Sequence, residues 1–258
     1  MLLVIDVGNT NTVLGIFDEH RLVEHWRLTS SRSRTTDEYG ILLKTLFDMS
    51  NVKMQQIRGC IIACVVPPMQ GIYEEMVQRY FKLQPLIIGP GVRTGMPILY
   101  ENPREVGADR IVNAVAAYDI FQQACIVVDF GTAITFDAIS DKGEYMGGSI
   151  CPGVAISADA LYTRASRLPR VEMKVPERVV GRNTVASIQS GLVFGYTSLV
   201  DGMVHRIVEE YGSRMNVIAT GGLARVIADS SETIEKVDED LTLTGLRILY
   251  ERNIRQSG

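Results

Sequence analysis

Cysteine and histidine are scarce in this sequence, which has four cysteines and three histidines among its 258 residues. No two cysteines have the Cys-x-x-Cys spacing of a zinc site, and four are too few for a disulfide framework in a chain of this length. We therefore expect buried, reduced thiols and surface histidines rather than metal ligands or disulfides.

A broad basic surface and a long apolar run are also lacking. The 26 basic and 30 acidic residues give a net charge of −4, which does not suit nucleic acid or an anionic membrane surface. The apolar run at residues 60–66 is far shorter than the roughly 20 residues that cross a bilayer. Residues 1–6 carry no basic leader, so we expect a cytoplasmic protein without a targeting peptide.

Apolar residues make up 46% of the chain, and their pattern predicts alternating strands and helices. We expect strands near residues 2–7, 13–17, 22–27, 60–66 and 85–88. Thr35 and Glu38 have the spacing of a capping box that opens a helix to about residue 47. Further helices are expected near residues 69–81 and 108–121, which indicates an α/β fold.

The most informative feature is an internal repeat. The strand at residues 125–130 matches the strand at residues 2–7, and Asp129, Gly131 and Thr132 follow in the positions of Asp6, Gly8 and Asn9, at an offset of 123 residues. We therefore predict two similar domains, residues 1–118 and 119–258, facing each other across a cleft. The second continues with a strand at 144–150, a helix after Gly153, a helix at 185–211, a strand at 215–220 and a last helix pair.

An aspartate that ends a strand before a glycine turn suits a metal and polyphosphate ligand. Glycine allows the backbone to approach phosphate oxygens, and neighbouring Asn and Thr side chains can donate hydrogen bonds to them. The carboxylates of Asp6 and Asp129 are hard oxygen ligands of the kind that Mg²⁺ prefers. A single Asp-x-Gly is more often a plain turn, but two copies in register favour the functional interpretation.

The two hairpins, with the later Thr220-Gly221-Gly222, resemble the superfamily of acetate and sugar kinases, heat-shock ATPases and actin. A narrower set of blocks resembles the type III pantothenate kinases. These blocks are Asp6-Val7-Gly8-Asn9-Thr10-Asn11-Thr12, Tyr100-Glu101-Asn102-Pro103, Gly107-Ala108-Asp109-Arg110, Asp129-Phe130-Gly131-Thr132-Ala133 and Gly181-Arg182-Asn183-Thr184.

The resemblance implies duplicated ribonuclease H-like domains, each a mixed central sheet flanked by helices, with a nucleotide cleft between them. It implies ATP contacts at Asp6, Val7, Gly8, Asn9, Thr10, Asn11, Thr12, Val13 and Thr132, with Asp6 near Mg²⁺. It implies a monovalent cation, K⁺ or NH₄⁺, at Asp129. Pantothenate would be held by Tyr100, Gly107, Ala108, Asp109, Arg110 and Thr184, in a homodimer, with Asp109 as the general base.

Other interpretations of these residues stay open at this point. Asp109 could cap its helix together with Arg110, although the helix dipole would also favour its anionic, proton-accepting form. Tyr100 could be a half-buried core aromatic, and Thr184 could be a helix N-cap. The chain could also phosphorylate another small metabolite, or bind a nucleotide as a regulator without kinase activity.

Overall fold

A computed structural model of the protein describes residues 1–254, and its contacts form two compact units. Unit 1 comprises residues 1–95, 102–116 and 242–254, and unit 2 comprises residues 96–101 and 117–241. The boundary therefore lies within one helix, and the last helix returns to unit 1. The domain limits of 1–118 and 119–258 stay a prediction.

The helices and strands alternate along most of the chain. In order they are β1 Leu2–Val7, β2 Asn11–Asp18, β3 Arg21–Thr29, α1 Thr36–Met49, β4 Gly59–Cys64, α2 Pro67–Met76, β5 Leu86–Ile87, α3 Ala108–Phe121, β6 Cys125–Phe130, β7 Ala133–Ile139, β8 Tyr145–Pro152, α4 Val154–Arg164, α5 Thr184–Tyr211, β9 Asn216–Gly221, α6 Ala224–Ala228, β10 Lys236–Val237 and α7 Leu241–Ile254. Within residues 1–254, no helix combines the length and apolar content that a bilayer span requires.

Unit 1 is built on a five-stranded sheet in the order β3-β2-β1-β4-β5. Alternate residues of β1, beginning with Leu3 and Ile5, point into a core shared with Tyr39 of α1 and Tyr73 of α2. Helix α7 lies on the opposite face, where Leu243 contacts the position of Gly15 in β2. The sheet is therefore covered by helices on both faces.

Unit 2 repeats this topology with a sheet in the order β10-β9-β6-β7-β8. In each unit the first strand pairs antiparallel with the second and parallel with the fourth. One face of the second sheet, including Ile126 and Val128, packs on α5 through Leu192 and Val200. The fold is thus two mixed sheets flanked by helices, a duplicated ribonuclease H-like arrangement, as predicted.

The two hairpins differ by one residue in the turn. Val7 pairs with Thr12 in unit 1, which leaves four residues in the turn, whereas Phe130 pairs with Ile134 in unit 2, which leaves three. The offset of 123 residues therefore holds through the first strand of each repeat and becomes 122 in the second.

Several local predictions can be compared with the structure. The capping box is confirmed, since Thr35 Oγ1 accepts from Glu38 N at 3.3 Å and Glu38 Oε2 accepts from Thr35 N at 2.7 Å. The interpretation of Thr184 as a helix cap is wrong, because Asn183 caps α5 and its Oδ1 accepts from Ala186 N at 2.8 Å. The expected last helix pair omitted β10, whose two residues are too short for a periodic pattern.

Helix α7 is held against α3 by a close backbone approach. A Cβ at Gly245 would lie 2.2 Å from the carbonyl oxygen of Val112, a distance that only glycine allows. Beside it, Thr242 Oγ1 donates to Asn113 Oδ1 at 2.7 Å. The packing of α7 against α3 therefore requires glycine at position 245.

We expect Gly245→Ala to lower the free energy of unfolding by about 1–3 kcal/mol, because the added methyl group must displace one helix from the other. The matched control is Gly71→Ala in α2, where nothing lies within 4 Å of the added Cβ. That variant should gain about 0.5–1 kcal/mol, since alanine is the better helix former. Urea unfolding followed by circular dichroism measures both, and equal stability of Gly245→Ala and wild type would contradict the packing.

Candidate active site

The first hairpin turn follows Asp6 near the carboxyl end of β1. Asp6 pairs with Ala63 of the parallel strand β4 and with Val13 of the antiparallel strand β2. Gly8 N donates to Asn11 O at 3.0 Å, and a Cβ at Gly8 would lie 2.9 Å from that oxygen. The turn therefore needs glycine at its start, and its backbone curls at the end of two parallel strands, where α/β proteins place ligands.

A serine from the loop after β3 braces this turn. Ser30 Oγ donates to Gly8 O at 2.6 Å and lies 3.0 Å from Thr12 Oγ1, and Ser30 N donates to Thr10 O at 3.0 Å. Ser30 thus contacts two residues of the turn, Gly8 and Thr10, and the first paired residue after it, Thr12. Our sequence reasoning missed Ser30, because a serine in a polar loop carries no pattern that marks such a contact.

Cys64 lies close to Asp6 at the end of β4. Its Sγ donates to Val66 O at 3.2 Å. Burial raises the pKa of the Cys64 thiol, and the negative charge of Asp6 raises this pKa further, although the bond to Val66 opposes both effects. The thiol therefore adds no thiolate charge beside Asp6. All four cysteines are free of disulfides, but only Cys60 and Cys125 are buried, so the prediction of buried thiols is correct for two of the four.

The second hairpin turn lies at the equivalent place in unit 2. Asp129 of β6 pairs with Thr220 of the parallel strand β9, and Gly131 N donates to Ala133 O at 3.0 Å. Asp129 Oδ1 lies 2.7 Å from the position of a Cβ on Gly221, whose φ is +93°. Glycine at this position thus leaves room for the carboxylate beside the end of β9.

Gly153 closes the other side of the second turn. Its N donates to Thr132 O at 3.2 Å, and a Cβ at Gly153 would lie only 2.2 Å from the same oxygen. Helix α4 begins at the next residue, Val154. Sequence reasoning did not assign this glycine a role, since its contact with Thr132 depends on the pairing of β7 with β8.

Asp109 lies in the first turn of α3, as predicted. Its Oδ1 accepts from Arg110 N at 2.8 Å, which satisfies one of the free donors that begin a helix. A Cβ at Gly107 would lie 2.5 Å from this oxygen, so glycine leaves room for the carboxylate. Arg110 is buried.

The pKa of Asp109 is raised, because burial disfavours the charged form more than the Arg110 N–H group and the Arg110 charge favour it. The argument from the helix dipole predicted a stabilised anion at this position. Burial outweighs that effect, and a carboxylate with a raised pKa holds a proton more strongly.

Tyr100 and Thr184 belong to unit 2. Tyr100 is half-buried, with its ring centroid 6.4 Å from that of Tyr145. Thr184 is the exposed first residue of α5 and lines a cavity of about 1060 Å³ between α4 and α5, together with Ser157, Leu161 and Tyr196.

Comparison with known proteins gives the family. A sequence model described as type III pantothenate kinase matches residues 2–206. A protein of that name from Anaeromyxobacter sp. strain Fw109-5 is 59% identical over 98% of this chain and 100% of its own length. The chain belongs to the type III pantothenate kinase family.

Solved structures with little sequence identity share the fold. A protein from Campylobacter jejuni named for the Baf family of transcriptional activators has a TM-score of 0.64 at 20% identity, covering 98% of this chain and 99% of that one. An inorganic polyphosphate/ATP-glucomannokinase from Arthrobacter sp. strain KM has a TM-score of 0.52 at 13% identity, covering 97% and 98%. The chain therefore shares its fold with these two proteins.

The site residues predicted from the family resemblance are divided between the two units. Unit 1 holds residues 6–13 in one hairpin and residues 107–110 at the start of α3, whereas unit 2 holds Tyr100, Asp129, Thr132 and Thr184. Asp129 and the turn containing Thr132 lie together. Tyr100 lies in the loop between β5 and α3, and Thr184 is the first residue of α5. Residues 1–254 contain no group of three or more His, Cys, Asp or Glu side chains placed to hold a metal ion.

The raised pKa of Asp109 predicts a pH-dependent stability. Between the ordinary aspartate pKa and the raised one, the folded protein keeps a proton that the unfolded chain has released, so stability falls as the pH rises through this window. Asp109→Asn removes this loss of stability, because asparagine does not titrate. We expect the variant to gain melting temperature relative to wild type at pH 8 and to gain less at pH 4.

Differential scanning fluorimetry at the two pH values measures this effect. Asp119→Asn, at an exposed position of the same helix, controls for the loss of one negative charge. A melting-temperature difference for Asp109→Asn that is the same at pH 4 and pH 8 would contradict the assignment.

Proposed function

We propose that this protein transfers the γ-phosphoryl group of ATP to the primary hydroxyl of pantothenate, forming 4′-phosphopantothenate at the first step of coenzyme A biosynthesis. The observation that carries the proposal is the 59% identity, over the whole length of the relative, to a protein named type III pantothenate kinase. The two glycine turns and the carboxylate of Asp109 supply the groups that phosphoryl transfer needs.

ATP is proposed to contact each hairpin turn. In the first turn these contacts are Asp6, Val7, Gly8, Asn9, Thr10, Asn11, Thr12 and Val13, and in the second turn the contact is Thr132. The tight backbone at Gly8 supports this role, since a glycine turn at a strand end presents N–H groups to phosphate oxygens. Mg²⁺ neutralises phosphate charge when it is bound, and the Asp6 carboxylate is a suitable ligand, directly or through water.

Asp129 is proposed to hold K⁺ or NH₄⁺. Its carboxylate lies against the glycine positions 131 and 221, where no side chain occupies the space. A carboxylate with open space beside it can neutralise the charge of a monovalent cation, which supports this assignment.

Asp109 is proposed as the general base. Its carboxylate accepts the proton of the pantothenate hydroxyl as that oxygen attacks the γ-phosphorus, and its raised pKa increases its affinity for this proton. Arg110, Tyr100, Gly107, Ala108 and Thr184 are proposed to hold and orient pantothenate. Positioning of the hydroxyl supplies much of the rate, because phosphoryl transfer needs little covalent chemistry from the protein.

A homodimer is proposed to form through unit 2. Ile156, Leu161 and Tyr162 of α4 and Val185 of α5 are exposed apolar residues near the start of the long helix. Apolar side chains grouped in this way are typical of a protein interface. We also keep the predictions of a cytoplasmic location and of no nucleic-acid or membrane partner.

The central experiment mixes the purified protein with ATP, Mg²⁺, K⁺ and pantothenate and measures 4′-phosphopantothenate by mass spectrometry. We expect product from wild type, and we expect Asp109→Asn to lower kcat by about two to four orders of magnitude with little change in the KM for ATP. Asp119→Asn, at an exposed position of the same helix, is the control and should retain activity.

Two results would contradict this assignment. ATP binding without product would favour a nucleotide-binding regulator, and turnover with a different small alcohol would favour another metabolite kinase. An unchanged kcat in Asp109→Asn would remove that residue from the role of base.

The cation proposal predicts faster turnover in K⁺ than in Na⁺ at equal ionic strength. Asp129→Asn should reduce this ratio toward one, because it removes the charge that holds the ion. Initial rates in the two salts, for wild type and variant, measure the effect, and equal wild-type rates would overturn the assignment.

A further inference from the structure

Asp137 is a buried carboxylate that the proposed reaction does not use. It lies in β7 and is fully buried. Its Oδ1 accepts from Tyr145 Oη at 2.7 Å, and its Oδ2 accepts from Thr135 Oγ1 at 3.1 Å. Burying a carboxylate costs free energy that an apolar side chain of similar size would not cost, so stability alone does not account for this group.

Tyr145, the partner of Asp137, holds the chain that leads to Tyr100. Tyr145 N donates to Pro97 O at 2.8 Å, and Leu99 N donates to Tyr145 O at 2.8 Å. The main chain of Tyr145 thus binds both sides of Ile98 in a parallel bridge at the start of β8. The main chain of Tyr145 therefore tethers the backbone immediately before Tyr100.

The ring of Tyr100 also rests on this part of the sheet. Its centroid lies 6.4 Å from that of Tyr145, with the two planes inclined by 48°. Gly147 also lies beside the ring, since a Cβ there would lie 3.5 Å from two ring atoms of Tyr100. The Tyr145 side chain is fully buried, and its hydroxyl bond to Asp137 limits how the ring under Tyr100 can turn.

We propose that Asp137 is a positioning residue for the acceptor site, because its bond to Tyr145 fixes the segment and the ring that place Tyr100. This inference rests on the proposed function, in which Tyr100 contacts pantothenate. Asp137 itself touches neither substrate nor nucleotide in this scheme. Its loss therefore weakens the binding of the acceptor and leaves the binding of ATP unchanged.

The experiment compares Tyr145→Phe and Asp137→Asn with wild type. Tyr145→Phe keeps the ring and the backbone bonds and removes only the hydroxyl, whereas Asp137→Asn keeps the shape and removes the charge. We expect each variant to raise the KM for pantothenate about tenfold, the loss expected for one hydrogen bond to a charged group, with the KM for ATP within about twofold. The effects of the two substitutions should be less than additive in the double variant, since Asp137→Asn weakens the hydrogen bond that Tyr145→Phe removes.

Hydrogen exchange supplies a second readout that does not depend on activity. The amides of Leu99 and Tyr145 should exchange faster in both variants, because the tether of residues 97–100 is loosened. Asp201→Asn is the control. Asp201 is a carboxylate of the same unit that accepts from Ser231 and Thr233 and lies outside the proposed site, so its loss should leave residues 97–100 unchanged.

Lowered melting temperatures with an unchanged pantothenate KM and unchanged exchange at residues 97–100 would overturn the proposal and leave Asp137 a structural residue. If wild type makes no 4′-phosphopantothenate, the proposed function fails, and hydrogen exchange alone then decides whether Asp137 positions Tyr100. Faster exchange supports the positioning role in that case, and unchanged exchange overturns it.

Discussion

In each unit, an aspartate near the end of the central strand is followed by a glycine turn. The parallel strand beside the central strand holds the aspartate and the turn in place. Asp6 and Asp129 occupy this position, with Gly8 and Gly131 closing the turns by their N–H groups. The hydrogen bonds of the sheet hold the backbone at the point where the carboxylate and the turn meet. The backbone groups of both turns are therefore held in place by main-chain hydrogen bonds.

The same motif is braced differently in the two copies. Ser30 holds the first turn through bonds to Gly8, Thr10 and the flanking Thr12, and Gly153 holds the second by bringing the chain against Thr132. The first turn is one residue longer than the second. The two hairpins are therefore related by topology and not by identical contacts.

Two carboxylates show how burial can serve different purposes. Burial raises the pKa of Asp109, and the burial of its charged form lowers the free energy of unfolding. In return, the carboxylate has a higher affinity for a proton. Asp137 is buried as well, but a tyrosine and a threonine hydroxyl donate to it. Such donors keep the carboxyl group in one orientation, a property that suits support of a neighbouring side chain.

The sequence by itself determined the elements whose signals are local. The repeat of Asp-x-Gly, the capping box at Thr35 and the limits of α3 could all be read from neighbouring residues, because turns, caps and periodic faces depend on residues a few positions apart. The motif blocks also indicated the family. Only the tertiary structure decided the contacts of Ser30, Gly153 and Asp137 and the raised pKa of Asp109, since burial and pairing between distant strands depend on the whole fold and have no local pattern.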